Sequence, residues 1–259
     1  MRFFGKTLLV GAVFSVLVHG AFAADDLSRI KAAGEIKFGT EGTYAPFTYH
    51  DVSGDLTGFD VDIGRAVAKQ LGVKATFVES KWDGLVAGLD DKRYDAVINE
   101  ISITPARQAK YAFSDPYITS HSVLIVAANN TTIKTFADLK GKKAAETLSS
   151  NFGKIAKDSG ADVVADNGFN ESIDLLLSGR VDATVNDSLS YLDFKKHKPD
   201  AKVKQVAVYD GDQNDRSAIL LRQGSPELVA AVNHALATLK SNGTYLKISE
   251  KYFGKDVSQ

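Results

Sequence analysis

The chain has 259 residues, 44% of them hydrophobic, with 31 lysines and arginines against 32 aspartates and glutamates and a formal net charge of −1. That length suits one large or two modest domains with a substantial core, and the near-neutral balance, free of long charge runs, offers nucleic acid or an anionic membrane surface no footprint. No cysteine occurs, which excludes disulfides and thiolate metal sites, and His19, His50, His121, His197 and His234 never fall at metal-ligand spacing.

In chain order, Arg2 and Lys6 precede an apolar run over 7–18 and the small-x-small pattern Ala21-Phe22-Ala23. This reads as a cleaved secretory signal over 1–23; the run is shorter than the ~20 residues a spanning helix needs. Without a cysteine to carry a lipid, the mature chain is expected free in the periplasm. A short helix over 26–33 and a strand over 35–39 follow. Thr57-Gly58-Phe59-Asp60 then opens an amphipathic helix that stops at Leu71-Gly72. A strand over 74–79 and a helix over 82–89 come next. Beyond residue 120 the pattern predicts an apolar strand over 122–128, a turn at Asn129-Asn130, a helical turn over 136–143 running into a strand, a helix over 150–159, a strand at 163–164 and a helix over 170–178. Strands over 202–209 and 217–222 and helices over 226–242 and 243–252 complete an α/β alternation with mostly parallel sheets.

One octapeptide occurs twice. Arg93-Tyr94-Asp95-Ala96-Val97-Ile98-Asn99-Glu100 and Arg180-Val181-Asp182-Ala183-Thr184-Val185-Asn186-Asp187 agree at four positions (Arg, Asp, Ala, Asn) and each closes on a carboxylate. Each reads as a strand with its polar groups at the carboxyl end, where open α/β sheets bind small ligands. Two such ends suggest two lobes facing one ligand. The turn-rich segment 210–215 and its mate 117–120 are the candidate crossings between lobes, and two-strand connections of this kind make hinges. The expected division is lobe 1 over 24–118 and 213–259, with lobe 2 over 119–212.

After the first repeat, Ile101-Ser102-Ile103-Thr104-Pro105-Ala106-Arg107 places an N-cap threonine before proline at the first helical position. Free amides, the Ser102 hydroxyl and the Arg107 guanidinium would converge there on a carboxylate or phosphate; a capped helix with a surface arginine accounts for the same motif. In the second lobe, Ser149-Ser150-Asn151 precedes another helix, while Asp187 either faces the ligand, caps the helix from Ser188, or does both. A carboxylate receptor opposite a carboxylate donor fits an α-amino acid. Tyr44, Phe47, Trp82 and Phe152 are candidate aromatic walls, Trp82 and Tyr44 foremost.

Gly39-Thr40-Glu41-Gly42-Thr43-Tyr44-Ala45-Pro46-Phe47, Leu56-Thr57-Gly58-Phe59-Asp60-Val61-Asp62, Ser102-Ile103-Thr104 through Arg107, and Phe113-Ser114-Asp115-Pro116-Tyr117 together resemble the polar amino-acid substrate-binding proteins of ABC importers, solute-binding protein family 3, over the whole mature chain. The resemblance implies a two-lobed, type II periplasmic-binding-protein-like α/β fold, with mixed, mostly parallel sheets and a hinge of two crossover strands. It implies a monomer that captures an L-amino acid, hands it to a membrane permease and uses no cofactor. By the same resemblance Arg107, with Ser102 and the backbone near Glu100, would grip the α-carboxylate, Asp187 the α-ammonium, and Ser150 with Asn151 would close from the second lobe.

Lys81-Trp82-Asp83-Gly84-Leu85, Asn99-Glu100-Ile101-Ser102-Ile103 and Leu148-Ser149-Ser150-Asn151-Phe152 are most similar to the cystine-binding branch. The implied ligand site is therefore Tyr44, Trp82, Asn99, Glu100, Ser102, Arg107, Ser150, Asn151, Phe152 and Asp187. Glu100 stands where that branch commonly has an amide. As an acceptor for a second ammonium it serves L-cystine, the favoured ligand, or an arginine-like or lysine-like one. An enzyme resembling periplasmic cyclohexadienyl dehydratase would use the same fold with Glu100 or Glu146 as general acid, yet no nucleophile–base pair or metal set is evident, and the reading is of a binding protein.

Overall fold

A computed structural model describes residues 25–211 and 216–258; the expected signal over 1–23 and most of the second crossing, 212–215, lie outside them. Two five-stranded sheets carry the fold. The first runs Lys74–Glu79, Glu35–Thr40, Ala96–Val97, Leu220–Arg222, Tyr111–Phe113, and the second Asp162–Ala165, Lys143–Glu146, Ala183–Asp187, Ser122–Ala127, Val203–Val208. Each sheet is parallel across its first three strands and antiparallel in its last two pairings. The lobes thus repeat one topology, as the octapeptide suggests. In both copies the repeated aspartate clips a neighbouring strand: Asp95 accepts the Lys37 N–H at 2.8 Å and Asp182 the Lys143 N–H at 2.9 Å. Their own N–H groups return to the carbonyls of Lys37 and Lys143, each at 2.8 Å. That double bond sets where each central strand begins, and so which residues reach its carboxyl end.

Helices fall where the caps place them. Phe59–Leu71 ends at Gly72, whose φ of 73° is the left-handed conformation that closes helices. Gly58, before its start, has φ 130°, and a Cβ there would sit 2.1 Å from the Phe47 carbonyl. Glycine is therefore required by both backbone and space. The stretch expected as one strand over 217–222 is two: Arg216–Ser217 pairs antiparallel with Ile118–Thr119, whereas Leu220–Arg222 enters the first sheet. The chain changes partners at Ala218 and Ile219, whose N–H groups go to the Ile101 carbonyl and the Ser114 hydroxyl, each at 3.0 Å. A three-stranded meander, Thr43–Tyr44, Thr48–His50 and Leu56–Thr57, and the strand Tyr111–Phe113 were not evident from periodicity. These strands are too short to show an alternation.

The pair Ile118–Thr119 and Arg216–Ser217 joins the lobes, and Ser217 also bridges to Ser102. The largest apolar core packs Phe59–Leu71 against the helices Pro226–Ser241 and Thr244–Phe253. Phe59, fully buried, has ring centroids of Phe253 at 5.0 Å and Tyr245 at 5.9 Å, both edge-on. Phe59→Ala should therefore lower stability by ~3–5 kcal/mol in urea unfolding; a loss below ~1 kcal/mol would mean that this cluster does not hold the first lobe.

Candidate functional site

The carboxyl ends of the two sheets face one another across a cavity lined by Glu41, Tyr44, Trp82 and Glu100 from the first lobe and by Glu146, Ser150, Asn151, Phe152 and Asn186 from the second. The lobes meet around it. Tyr44 donates its hydroxyl to Asn186 Oδ1 at 2.9 Å, Ser190 Oγ donates to the Ala45 carbonyl at 2.8 Å, and Ser149 Oγ donates to Asp83 Oδ1 at 2.5 Å. An adjoining cleft, lined by Thr104, Arg107, Lys154 and Tyr209, shares Ser150 and Asn151 with the cavity. Of the expected site residues, Tyr44, Trp82, Glu100, Ser150, Asn151 and Phe152 line the cavity and Arg107 the adjoining cleft, whereas Asn99, Ser102 and Asp187 line neither.

Arg107 lies in a single helical turn, Pro105–Gln108, capped by the Thr104 hydroxyl accepting the Arg107 N–H at 3.2 Å. Its guanidinium lies 5.2 Å from the Trp82 ring centroid and donates Nη1 to the Ser102 carbonyl at 3.0 Å. The rest of the fork has no partner among the described residues. Burial pulls its pKa down to about 10, opposed by Glu100, which leaves it fully cationic at neutral pH. Stacked on an indole and anchored at one nitrogen, it is held in place with donors to spare, and a guanidinium fork matches a planar carboxylate chemically.

Glu100 occupies a turn with φ 50°, unusual for a residue with a side chain. The turn is pinned from both sides: the Glu100 N–H reaches Asp60 Oδ2 at 2.5 Å, and the Ser217 hydroxyl donates to Glu100 Oε1 at 2.6 Å. Burial raises the Glu100 carboxyl well above its ordinary pKa, Asp187 adds to the rise and Ser217 opposes it. Asp187 has both oxygens occupied, Oδ1 by the N–H groups of Leu189 at 2.7 Å and Ser190 at 3.2 Å, Oδ2 by the Ser120 hydroxyl. It caps Ser188–His197 and is 2% exposed. Its pKa, raised by burial to about 6, leaves it mostly ionised at neutral pH behind the cavity wall.

Asn99 is not at the cavity surface. It accepts the Glu41 N–H at 2.7 Å and donates Nδ2 to Glu41 Oε2 at 2.7 Å, so it positions Glu41, which is. Burial takes the Glu41 carboxyl up to about 7, with the Asn99 bond opposing. Ser102 contributes its carbonyl to Arg107, and the Ser150 hydroxyl accepts the Gly153 N–H at 2.9 Å as the cap of Asn151–Asp158. Phe47 belongs to the core, fully buried against Tyr44 and Phe253. Glu41, Glu146 and Asn186 are lining residues outside the expected set. Each stands at or just after the carboxyl end of a strand, the same signal that marked Asn99 and Glu100.

Residues 36–255 match the bacterial extracellular solute-binding proteins, family 3, and the chain belongs to that family. It is 41% identical to a probable amino-acid ABC transporter-binding protein of Haemophilus influenzae over 99% of this chain and 98% of that one. Among solved structures it is similar to the unliganded, open L-cystine solute receptor of Neisseria gonorrhoeae (45% identity, TM-score 0.61, covering 90% of this chain and 99% of that one). It is also similar to an ancestral arginine-binding protein bound to arginine (40% identity, TM-score 0.79, covering 85% and 99%). The lower shape agreement with the more similar sequence accords with lobes that meet here and stand apart in the open receptor.

Five buried carboxyls, Asp60, Glu41, Glu100, Glu146 and Asp187, thus crowd the cleft floor with pKa values raised by burial, Asp60 to about 7. A raised carboxyl pKa means that the native state holds protons the unfolded chain has released. Stability then falls as pH climbs from ~4 to ~7. The ligand-free protein should melt at a higher temperature near pH 5 than near pH 8, and Glu100→Gln should shrink that difference. A melting temperature rising over this interval would contradict the protonated cleft.

Proposed function

We propose that the chain is a periplasmic solute-binding protein, secreted with a cleaved signal and not lipid-anchored, that closes two lobes (24–118 with 213–259, and 119–212) on an L-amino acid and delivers it as a monomer to the permease of an ABC importer. The observation that carries this reading is the inter-lobe cavity, with a part-unpaired, indole-stacked Arg107 beside it and ionisable carboxyls on both walls. A guanidinium for the α-carboxylate and, for the α-ammonium, the negative charge of Asp187 acting from behind the cavity wall match the two ends of a zwitterion. L-Cystine is the preferred ligand: Trp82 and Phe152 offer aromatic faces to its sulfurs, and the gonococcal L-cystine receptor shares 45% of its residues with this chain. Arginine is the second reading, supported by the acid-rich wall and by the likeness to the arginine-bound ancestral protein.

Thermal-shift and calorimetric screens of L-amino acids should give the largest response to L-cystine, with arginine unable to displace it completely at equal concentration. Complete displacement assigns the site to arginine, and turnover of a cyclic carboxylate assigns it to an enzyme. Arg107→Ala should weaken cystine binding at least about tenfold, because hydrogen bonds to charged groups contribute ~1.5–3 kcal/mol each; near-normal affinity in the folded variant would remove Arg107 from the site. Small-angle scattering should show a smaller radius of gyration at saturating ligand, as expected of lobes joined by two crossing strands. An unchanged radius would locate binding in a cleft that does not open.

A further inference from the structure

Two polar groups of the second lobe that line the cavity have hydrogen-bonding capacity left over. Glu146 ends the strand Lys143–Glu146, is 2% exposed and lines the cavity. Its Oε1 accepts the Val185 N–H at 2.6 Å, and its other oxygen has no hydrogen-bond partner among the described residues. Asn151, in the first turn of Asn151–Asp158, is 7% exposed and lines the same cavity; its Nδ2 is buried without a partner among the described residues. Buried polar groups are as a rule hydrogen-bonded, so the unpaired Asn151 donor, on one wall with a carboxylate oxygen that has capacity to accept, calls for a ligand that supplies both complements.

The charges nearby decide what that ligand carries. Asp166, behind Glu146, is satisfied by the hydroxyls of Ser172 at 2.5 Å and Thr147 at 3.2 Å and by the Gly168 N–H at 3.0 Å. Facing Glu146 across the cavity are Glu41 and Glu100, and among the described residues no lysine, arginine or histidine lines the space. Lys154, at the edge of the adjoining cleft, is paired with Asp158 at 2.5 Å. Burial raises the Glu146 carboxyl well above its ordinary value, and Asp166 adds to the rise. An ammonium placed at Glu146 would meet acceptors only. The sequence pointed to Glu100 for a second ammonium; each of the two carboxyls has one oxygen bonded, Glu100 Oε1 by the Ser217 hydroxyl and Glu146 Oε1 by the Val185 N–H, but Glu146 is the one that shares its lobe and wall with the unpaired Asn151 amide.

We propose that Glu146 and Asn151 form a second amino-acid-head subsite, Glu146 accepting the distal ammonium and the Asn151 amide donating to the distal carboxylate. This deepens the amino-acid reading above and rests on it. A ligand with one head leaves both groups unsatisfied; lysine or arginine serves Glu146 alone. A ligand with two α-amino-acid heads joined by a short apolar link completes the wall, and that is the chemistry of a cystine.

The test separates the two groups with four probes: L-cystine, S-methyl-L-cysteine, the mixed disulfide of L-cysteine with cysteamine (distal ammonium only) and that with 3-mercaptopropionate (distal carboxylate only). Glu146→Gln keeps shape and the bond to Val185. By calorimetry it should lower the affinity ratios of cystine and of the cysteamine disulfide to S-methylcysteine by about tenfold or more. Asn151→Ala should instead lower the ratio of the mercaptopropionate to the cysteamine disulfide. Ratios unchanged in both variants, or all four affinities falling together, would overturn the subsite while leaving the amino-acid reading intact. Wild-type protein that binds none of the four would defeat that reading and the subsite with it. Melting temperatures near wild type for both variants exclude unfolding as the cause.

Discussion

The carboxylate of Asp60 is the interaction on which the cleft depends. It lies fully buried in the first turn of Phe59–Leu71 and uses both oxygens at once: Oδ2 takes the Glu100 N–H at 2.5 Å and Oδ1 the Tyr117 hydroxyl at 2.9 Å. The first bond holds a residue in a left-handed turn that its side chain disfavours. The second fixes the residue just before the crossing strand Ile118–Thr119, and the Tyr117 carbonyl in turn accepts the Tyr245 hydroxyl at 2.5 Å. One buried group thereby ties a core helix, the floor of the cavity, the hinge and the C-terminal helix. A position beside the helix N-terminus favours the ionised form, and burial opposes it.

Because the floor is attached to the hinge, chemistry and motion share residues. Ser217 belongs to one crossing strand and holds Glu100; Ser120 follows the other and holds Asp187. A change in the angle between lobes must move these hydroxyls relative to the carboxyls they serve. With the lobes in contact, Asp187 adds to the cost of ionising Glu100 in a low-dielectric space. A positive charge brought into that space would relieve the repulsion. Arg107 escapes this conflict by sharing its charge with the Trp82 face and the Ser102 carbonyl.

Much of the fold is legible in the chain because the local signals agree. Gly72 follows an amphipathic run, Thr104-Pro105 starts a turn, and each β-branched run of the repeat ends in polar residues; all stand where periodicity and capping place them. The repeat carries more than strand propensity. Its aspartates clip adjacent strands, and its asparagines, Asn99 and Asn186, turn toward the cleft, one to seat Glu41 and the other to receive Tyr44. Less legible are segments whose partners lie far along the chain. The stretch 217–222 divides between two sheets because residues 101 and 114 intercept it, and no window of a few residues contains that fact.

The sequence by itself determined the α/β alternation, the two-lobe repeat, the aromatic and arginine candidates and the lack of any thiol, since these depend on residue type and near-neighbour spacing. Only the tertiary structure decided which polar groups remain unspent. Asp187 reads equally as ligand contact and helix cap until Leu189, Ser190 and Ser120 are seen to occupy both its oxygens; Asn99 reads as a ligand contact until it is found beneath Glu41; Glu146 and Asn151 stand out only once their surroundings are seen to leave an oxygen of one and the amide nitrogen of the other without a partner among the described residues. Hydrogen-bond capacity is a property of the residue, but its satisfaction depends on neighbours brought from elsewhere in the chain.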